Sequence, residues 1–186
     1  MRTEHTYHKG SFSWVQLCWI LGGLLLFAGG MISLVAHDNS MVKTARPLGV
    51  LMFLAGAINF AVCDIKNHEI HGSRWLIADG VAAILLSLFP MFNQIISPVM
   101  VPFFFGMWEL FSGILKVMDS TELKHDKMRC WIGIATIGFI ELASGTASLI
   151  KPFDDMVGIS LVIAIIFFVQ SSGFILKAVL YKHLID

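Results

Sequence analysis

Glu109 and Glu141 are the side chains of this sequence best placed to do chemistry. Each is a carboxylic acid in an otherwise apolar run, Glu109 in "FGMWELFSGILK" and Glu141 in "GFIELASG", and Gln170 is a third polar group in a similar setting. A charged acid at the centre of a bilayer costs about 2.5 to 3.5 kcal/mol on insertion scales, so such a group is protonated, hydrogen-bonded or facing water. Two readings follow. The acids can hold helices together through hydrogen bonds, as Asn59 and Gln170 can, or they can carry a proton- or ion-linked role. Enzymatic readings lack support: the sequence has no HExxH helix, no GxSxG turn, no glycine-rich phosphate loop and no histidine inside an apolar run. No catalytic residue and no cofactor are expected. "CDIKNHEIH" brings Cys63, Asp64, His68 and His71 close together, and these are competent zinc ligands. Their spacing matches no defined site, so they are read as a polar loop and no metal is expected.

The elements that carry these residues follow from composition. The chain of 186 residues is 56% hydrophobic and only 14% charged, against roughly 25% charged in an average soluble domain. A hydrocarbon core about 30 Å thick needs about 20 apolar residues per spanning helix at 1.5 Å each. Six stretches approach that length, at 14–36, 47–63, 75–92, 95–117, 130–150 and 156–180. They are continuous apolar runs, not ten-residue alternations, so helices are expected and a barrel is not. The connections are short and polar. The expected fold is an all-α membrane protein with a tail at 1–13, one six-helix domain at 14–180 and a short end at 181–186.

A cleaved signal at "SLVAHD" is disfavoured, because the first run is 23 residues long and places Leu34 three positions before the candidate bond. Lysine and arginine set the orientation, since positive loops stay cytoplasmic. Ten of the thirteen (Arg2, Lys9, Lys66, Arg74, Lys116, Lys124, Lys127, Arg129, Lys177 and Lys182) fall on the side of both termini, and Lys43, Arg46 and Lys151 on the other. Both termini are therefore expected in the cytoplasm. Cys18, Cys63 and Cys130 fall on that reducing side, where no disulfide is expected. A net charge of zero without a basic patch points away from nucleic acid. The partner the sequence requires is the lipid bilayer. A homo-oligomer is compatible with it, and no small-molecule ligand can be named.

Helical spacing sorts the polar residues onto faces. Pro102, Gly106, Glu109, Gly113 and Lys116 share one face, Gly138, Glu141, Ser144, Gly145 and Ser148 another, and Gln170, Gly173 and Lys177 a third. Small residues let helices approach closely, so these faces are expected to look inward. Glu109 lies roughly 12 Å and Glu141 roughly 16 Å from the cytoplasmic ends of their helices at 1.5 Å per residue, a similar depth. Like charges at that depth repel, so the two acids are not expected to ionise together. Asp79 is read as a helix-start residue reaching the interface, and Lys116 and Lys177 as snorkelling to the cytoplasmic side.

Trp14, Trp75 and Trp131 open alternate helices, and Gly49 and Gly56 are echoed by Gly106 and Gly113, with Gly173 further on. Three helical hairpins, at about 14–63, 75–117 and 130–180, are expected. A tryptophan opening a helix, glycines through it and a closing proline recur as Trp75, Gly80 and Pro90, and as Trp131, Gly138, Gly145 and Pro152 in "CWIGIATIGFIELASGTASLIKP". Trp14 with glycines at 22, 23, 29 and 30 has no such proline. The pattern resembles the HdeD family of bacterial acid-resistance membrane proteins, whose repeat is a short domain of unknown function. The resemblance implies a six-helix protein of the bacterial cytoplasmic (inner) membrane that contributes to acid or envelope stress tolerance. The alternative is a small transporter or proton-coupled channel lined by Glu109, Glu141 and Gln170.

Overall fold

The computed structural model describes residues 13–35, 41–65, 73–92, 100–150 and 156–185, and these are helical almost throughout. The helices are α1 (Trp14–Val35), α2 (Met41–Ile65), α3 (Ser73–Met91), α4 (Met100–His125), α5 (Trp131–Ile150) and α6 (Met156–Ile185). All six are long and apolar enough to cross a membrane, with candidate spans of 19 to 26 residues. Lipid offers no partners to backbone amides, so apolar stretches of this length close their hydrogen bonds within themselves. The helices fit a multi-pass membrane protein. The zinc-type ligands Asp64, His68 and His71 have side chains outside the described residues, and the thiol of Cys63 donates to the Ser73 carbonyl at 3.4 Å.

Three helices run past their expected bounds, and one of them, α6, continues beyond Leu180 to Ile185, through residues assigned to the short C-terminal end. α2 starts at Met41 and takes in Pro47, whose missing N–H leaves the Lys43 carbonyl without its helical donor. α4 continues past Val117 to His125, through residues read as a connecting loop. The hydroxyls of Ser120 and Thr121 bond back to the carbonyls of Val117 and Met118 at 2.7 Å each, and Leu123 is fully buried. The helix stops at Lys127, with φ of 59°. Its N–H reaches the Lys124 carbonyl, and that of Met128 reaches Leu123, the paired bonds of a Schellman cap. Leu123 and Met128 pack in the same core.

Consecutive helices run antiparallel, and α1 packs against α6, so the bundle closes on itself. The closest approaches join α2 to α3, α4 to α5 and α6 to α1. A Cβ on Gly56 would lie 2.7 Å from the Gly80 carbonyl oxygen, one on Gly113 2.9 Å from that of Gly138, and one on Gly23 3.3 Å from that of Ser171. Glycine is needed there because backbone meets backbone. Serine hydroxyls donate across the same seams, Ser148 to the Pro102 carbonyl at 2.7 Å and Ser33 to that of Ser160 at 3.0 Å. The faces of α1, α3 and α5 turned away from these seams carry exposed Leu24, Leu85 and Phe139, as lipid contact requires.

Candidate functional site: a buried charge network

α4 and α5 approach so closely that their polar faces meet. Gly113 of α4 admits Glu141, whose Cβ would stand 3.1 Å from an added Gly113 Cβ, and Gly138 of α5 in turn admits the Lys116 stem. Lys116 Nζ donates to Glu141 Oε1, to Ser112 Oγ at 2.7 Å and to Gln170 Oε1 of α6 at 3.5 Å. The ion pair therefore lies where α4, α5 and α6 converge. Gly173 leaves room there, with Glu141 Oε1 and the end of the Lys116 stem about 3.5 Å from where its Cβ would be.

Two further groups extend this centre. On the α2–α3 side, Asn59 Nδ2 donates to Asp79 Oδ2 at 2.9 Å, and Lys177 Nζ of α6 lies 3.6 Å from the same oxygen. Lys116 also acts electrostatically on Asp79, which links this group to the centre. On the other side of the centre, the Ser144 hydroxyl lies 2.9 Å from Glu109 Oε1, with Glu141 and Gln170 both near the acid. Asp79, Glu109, Lys116, Glu141 and Lys177 are each at most 8% exposed.

The arrangement is chemically unbalanced. Four carboxyl groups (Asp79, Glu109, Asp119 and Glu141) stand among two ammonium groups, Lys116 and Lys177. Charged in full, the cluster would hold two negative charges in excess, and protons on two carboxyls bring it to neutrality. Several polar atoms accept or donate nothing within the described residues: Asp79 Oδ1, Glu109 Oε2, Glu141 Oε2, Asp119 Oδ1 and Gln170 Nε2. A buried polar atom without a partner costs on the order of 1 to 3 kcal/mol. The cluster has open valences for a proton, a water molecule or a small polar ligand.

The structure brings Glu109, Glu141 and Gln170 into one cluster. It corrects three other assignments. Asp79 is a buried partner of Asn59 and Lys177, not an interfacial helix start. Lys116 and Lys177 do not snorkel outward; both fold into the bundle. The signal was present in their faces: Lys116 shares the stripe of Gly106, Glu109 and Gly113, Lys177 that of Gln170 and Gly173, and Asp79 is followed by Gly80, Ala83 and Ser87 at helical spacing. Asp119 had no such signal. At the bundle end, Trp75 Nε1 donates to Glu122 Oε2 at 2.6 Å, with the exposed Arg74 beside it at 3.4 Å.

No family model, curated protein or solved structure matches this chain.

Proposed function

We propose that this protein is a non-enzymatic, multi-pass protein of the bacterial cytoplasmic membrane, of the HdeD type, that contributes to tolerance of acid or a related envelope stress, with the buried charge network as its proton-responsive element. The observation that carries this reading is the Lys116–Glu141 ion pair with a second acid, Glu109, beside it inside the bundle. A carboxylate that loses its charge releases its lysine, so proton uptake here changes how α4, α5 and α6 hold one another.

The hairpin repeat is part of the proposal. In its support, the three seams use matching positions: Gly56, Gly113 and Ser171 on the even helices, and Gly80, Gly138 and Gly23 on the odd ones, at intervals of 57 or 58 residues. The excess of lysine and arginine on one side supports cytoplasmic termini.

Acid survival of cells carrying Glu109→Gln or Glu141→Gln tests the functional reading. Glutamine keeps the shape and much of the hydrogen bonding of a neutral acid while removing its titration. Variants that fold and accumulate like the parent yet lose survival at low pH are expected. Full survival with both acids replaced refutes a proton-linked role for the cluster.

A second reading, a small transporter or proton-coupled channel lined by Glu109, Glu141 and Gln170, is favoured by a small crevice that reaches Lys116 and Asp79 from one end of the bundle. Proton or solute flux through liposomes holding the purified protein, abolished by Glu109→Gln, is its expected signature.

A further inference from the structure

The polar and apolar contents of the bundle interior are segregated along its axis. At the end where α3 begins and α4 and α6 finish, a crevice between those three helices is lined by Trp75, Asp79, Leu115, Lys116, Asp119 and Lys177. Its cavity volume of about 20 Å³ suffices for about one water molecule, given that roughly 10 to 15 Å³ is the minimum by this measure. A second, smaller cavity of about 10 Å³ lies on the other side of Lys116 and Lys177, against Ile137 and Gly173. Asp119 is half-buried near the mouth. Asp119, Asp79 and Glu141 each hold an oxygen without a partner among the described residues.

Toward the opposite end the described interior is filled by large apolar side chains. One turn beyond Glu109 and Gln170, Phe105 and Phe167 meet with ring centroids 5.4 Å apart, and Trp108 stands against Phe167 at 5.8 Å. Leu48, Met52 and Ile163 are wholly buried in the same half. Of the serines there, Ser33, Ser87 and Ser148 donate to backbone carbonyls.

From this segregation we propose that the crevice between α3, α4 and α6 is a one-sided proton entry that delivers protons to the Lys116–Glu141 pair and ends against the aromatic layer. Protons are exchanged with one compartment and are not conducted across. This rests on the proton-responsive reading above and deepens it, and it separates that reading from a through-channel. The titratable groups facing the route among the described residues are Cys63 of α2, Asp79 of α3, Glu109, Lys116, Asp119 and Glu122 of α4, Cys130 of the following turn, Glu141 of α5 and Lys177 of α6; α1 carries one titratable group, the thiol of Cys18, packed against the core. A proton arriving at Asp119 passes to water in the crevice, then to Asp79 or Glu141. Each transfer protonates one oxygen as it leaves another, so no co-reactant is needed.

Two measurements test the proposal. In membrane vesicles, single cysteines at Leu115 and Asp119, with the native cysteines replaced by alanine, are treated with a membrane-impermeant maleimide. Lys124→Cys marks the crevice end and Lys43→Cys the other. Labelling from the Lys124 face, at least tenfold faster than at Phe105→Cys from either face, is expected. Labelling from the Lys43 face, or equal labelling of Phe105→Cys, overturns one-sided entry. The unsubstituted protein in liposomes, under a potassium diffusion potential with a trapped pH dye, is expected to pass protons no faster than empty liposomes. Flux above that background overturns the closed end, whatever becomes of the cysteine variants. Neither result depends on acid survival, so failure of the entry route and failure of the stress role are told apart.

Discussion

Lys116→Met is the most demanding test of the buried pair. Methionine keeps most of the length of the lysine stem and removes the ammonium group. Glu141 then loses its one hydrogen-bonding cation, and its Oε2 already has no partner among the described residues. Breaking a buried pair by removing one member costs about 3 to 5 kcal/mol, because an uncompensated charge stays behind. Glu141→Leu costs less, about 1 to 3 kcal/mol, since Ser112 at 2.7 Å and Gln170 at 3.5 Å still accept from the ammonium. The double variant removes both charges, and apolar replacement of a buried pair is often neutral or stabilising. The two single losses should therefore fail to add by at least about 3 kcal/mol. Denaturant unfolding in detergent micelles, run as a double-mutant cycle, measures this. Additivity within about 0.5 kcal/mol, the behaviour of independent sites, would show that the ammonium and the carboxylate do not act on each other. A single Lys116→Met that costs nothing would place the lysine in water.

The remaining predictions concern packing, capping and accessibility. Gly113→Ala puts a methyl 2.7 Å from the Leu142 amide nitrogen and should lower stability by about 1 to 3 kcal/mol, whereas Gly133→Ala meets nothing nearer than 3.5 Å and should gain about 0.5 to 1 kcal/mol from helix propensity; melting in detergent compares the two. Lys127→Gly relieves a left-handed residue at the α4 cap and should stabilise by about 1 kcal/mol in the same assay. Burial, with Asp119 adding to it, pushes the Cys130 thiol up from its ordinary range. Its thiolate should stay scarce at neutral pH, and its alkylation in the folded protein should accelerate as pH rises past 9, remaining at least tenfold slower than in denatured protein when followed by mass spectrometry.

The six spans could be read from the sequence because their cause is local: a run of apolar residues in lipid must satisfy its own backbone hydrogen bonds, whatever its neighbours are. The small, polar faces of α4, α5 and α6 were legible for a similar reason, since Gly106, Glu109 and Gly113 or Gly138, Glu141 and Gly145 reveal themselves through helical spacing alone. Which faces meet was not local. A lysine stem of four methylenes reaches outward to water as readily as inward to a carboxylate, and only the approach of α5 to α4, permitted by Gly113 and Gly138, puts Glu141 within reach of Lys116. Asp79 looked interfacial by its distance from Trp75, yet Asn59 from α2 and Lys177 from α6 enclose it, and both are distant in sequence. The sequence by itself determined the number, class and polar faces of the helices; the tertiary structure decided that four acids and two lysines share one interior, because burial and pairing depend on neighbours that chain order does not specify.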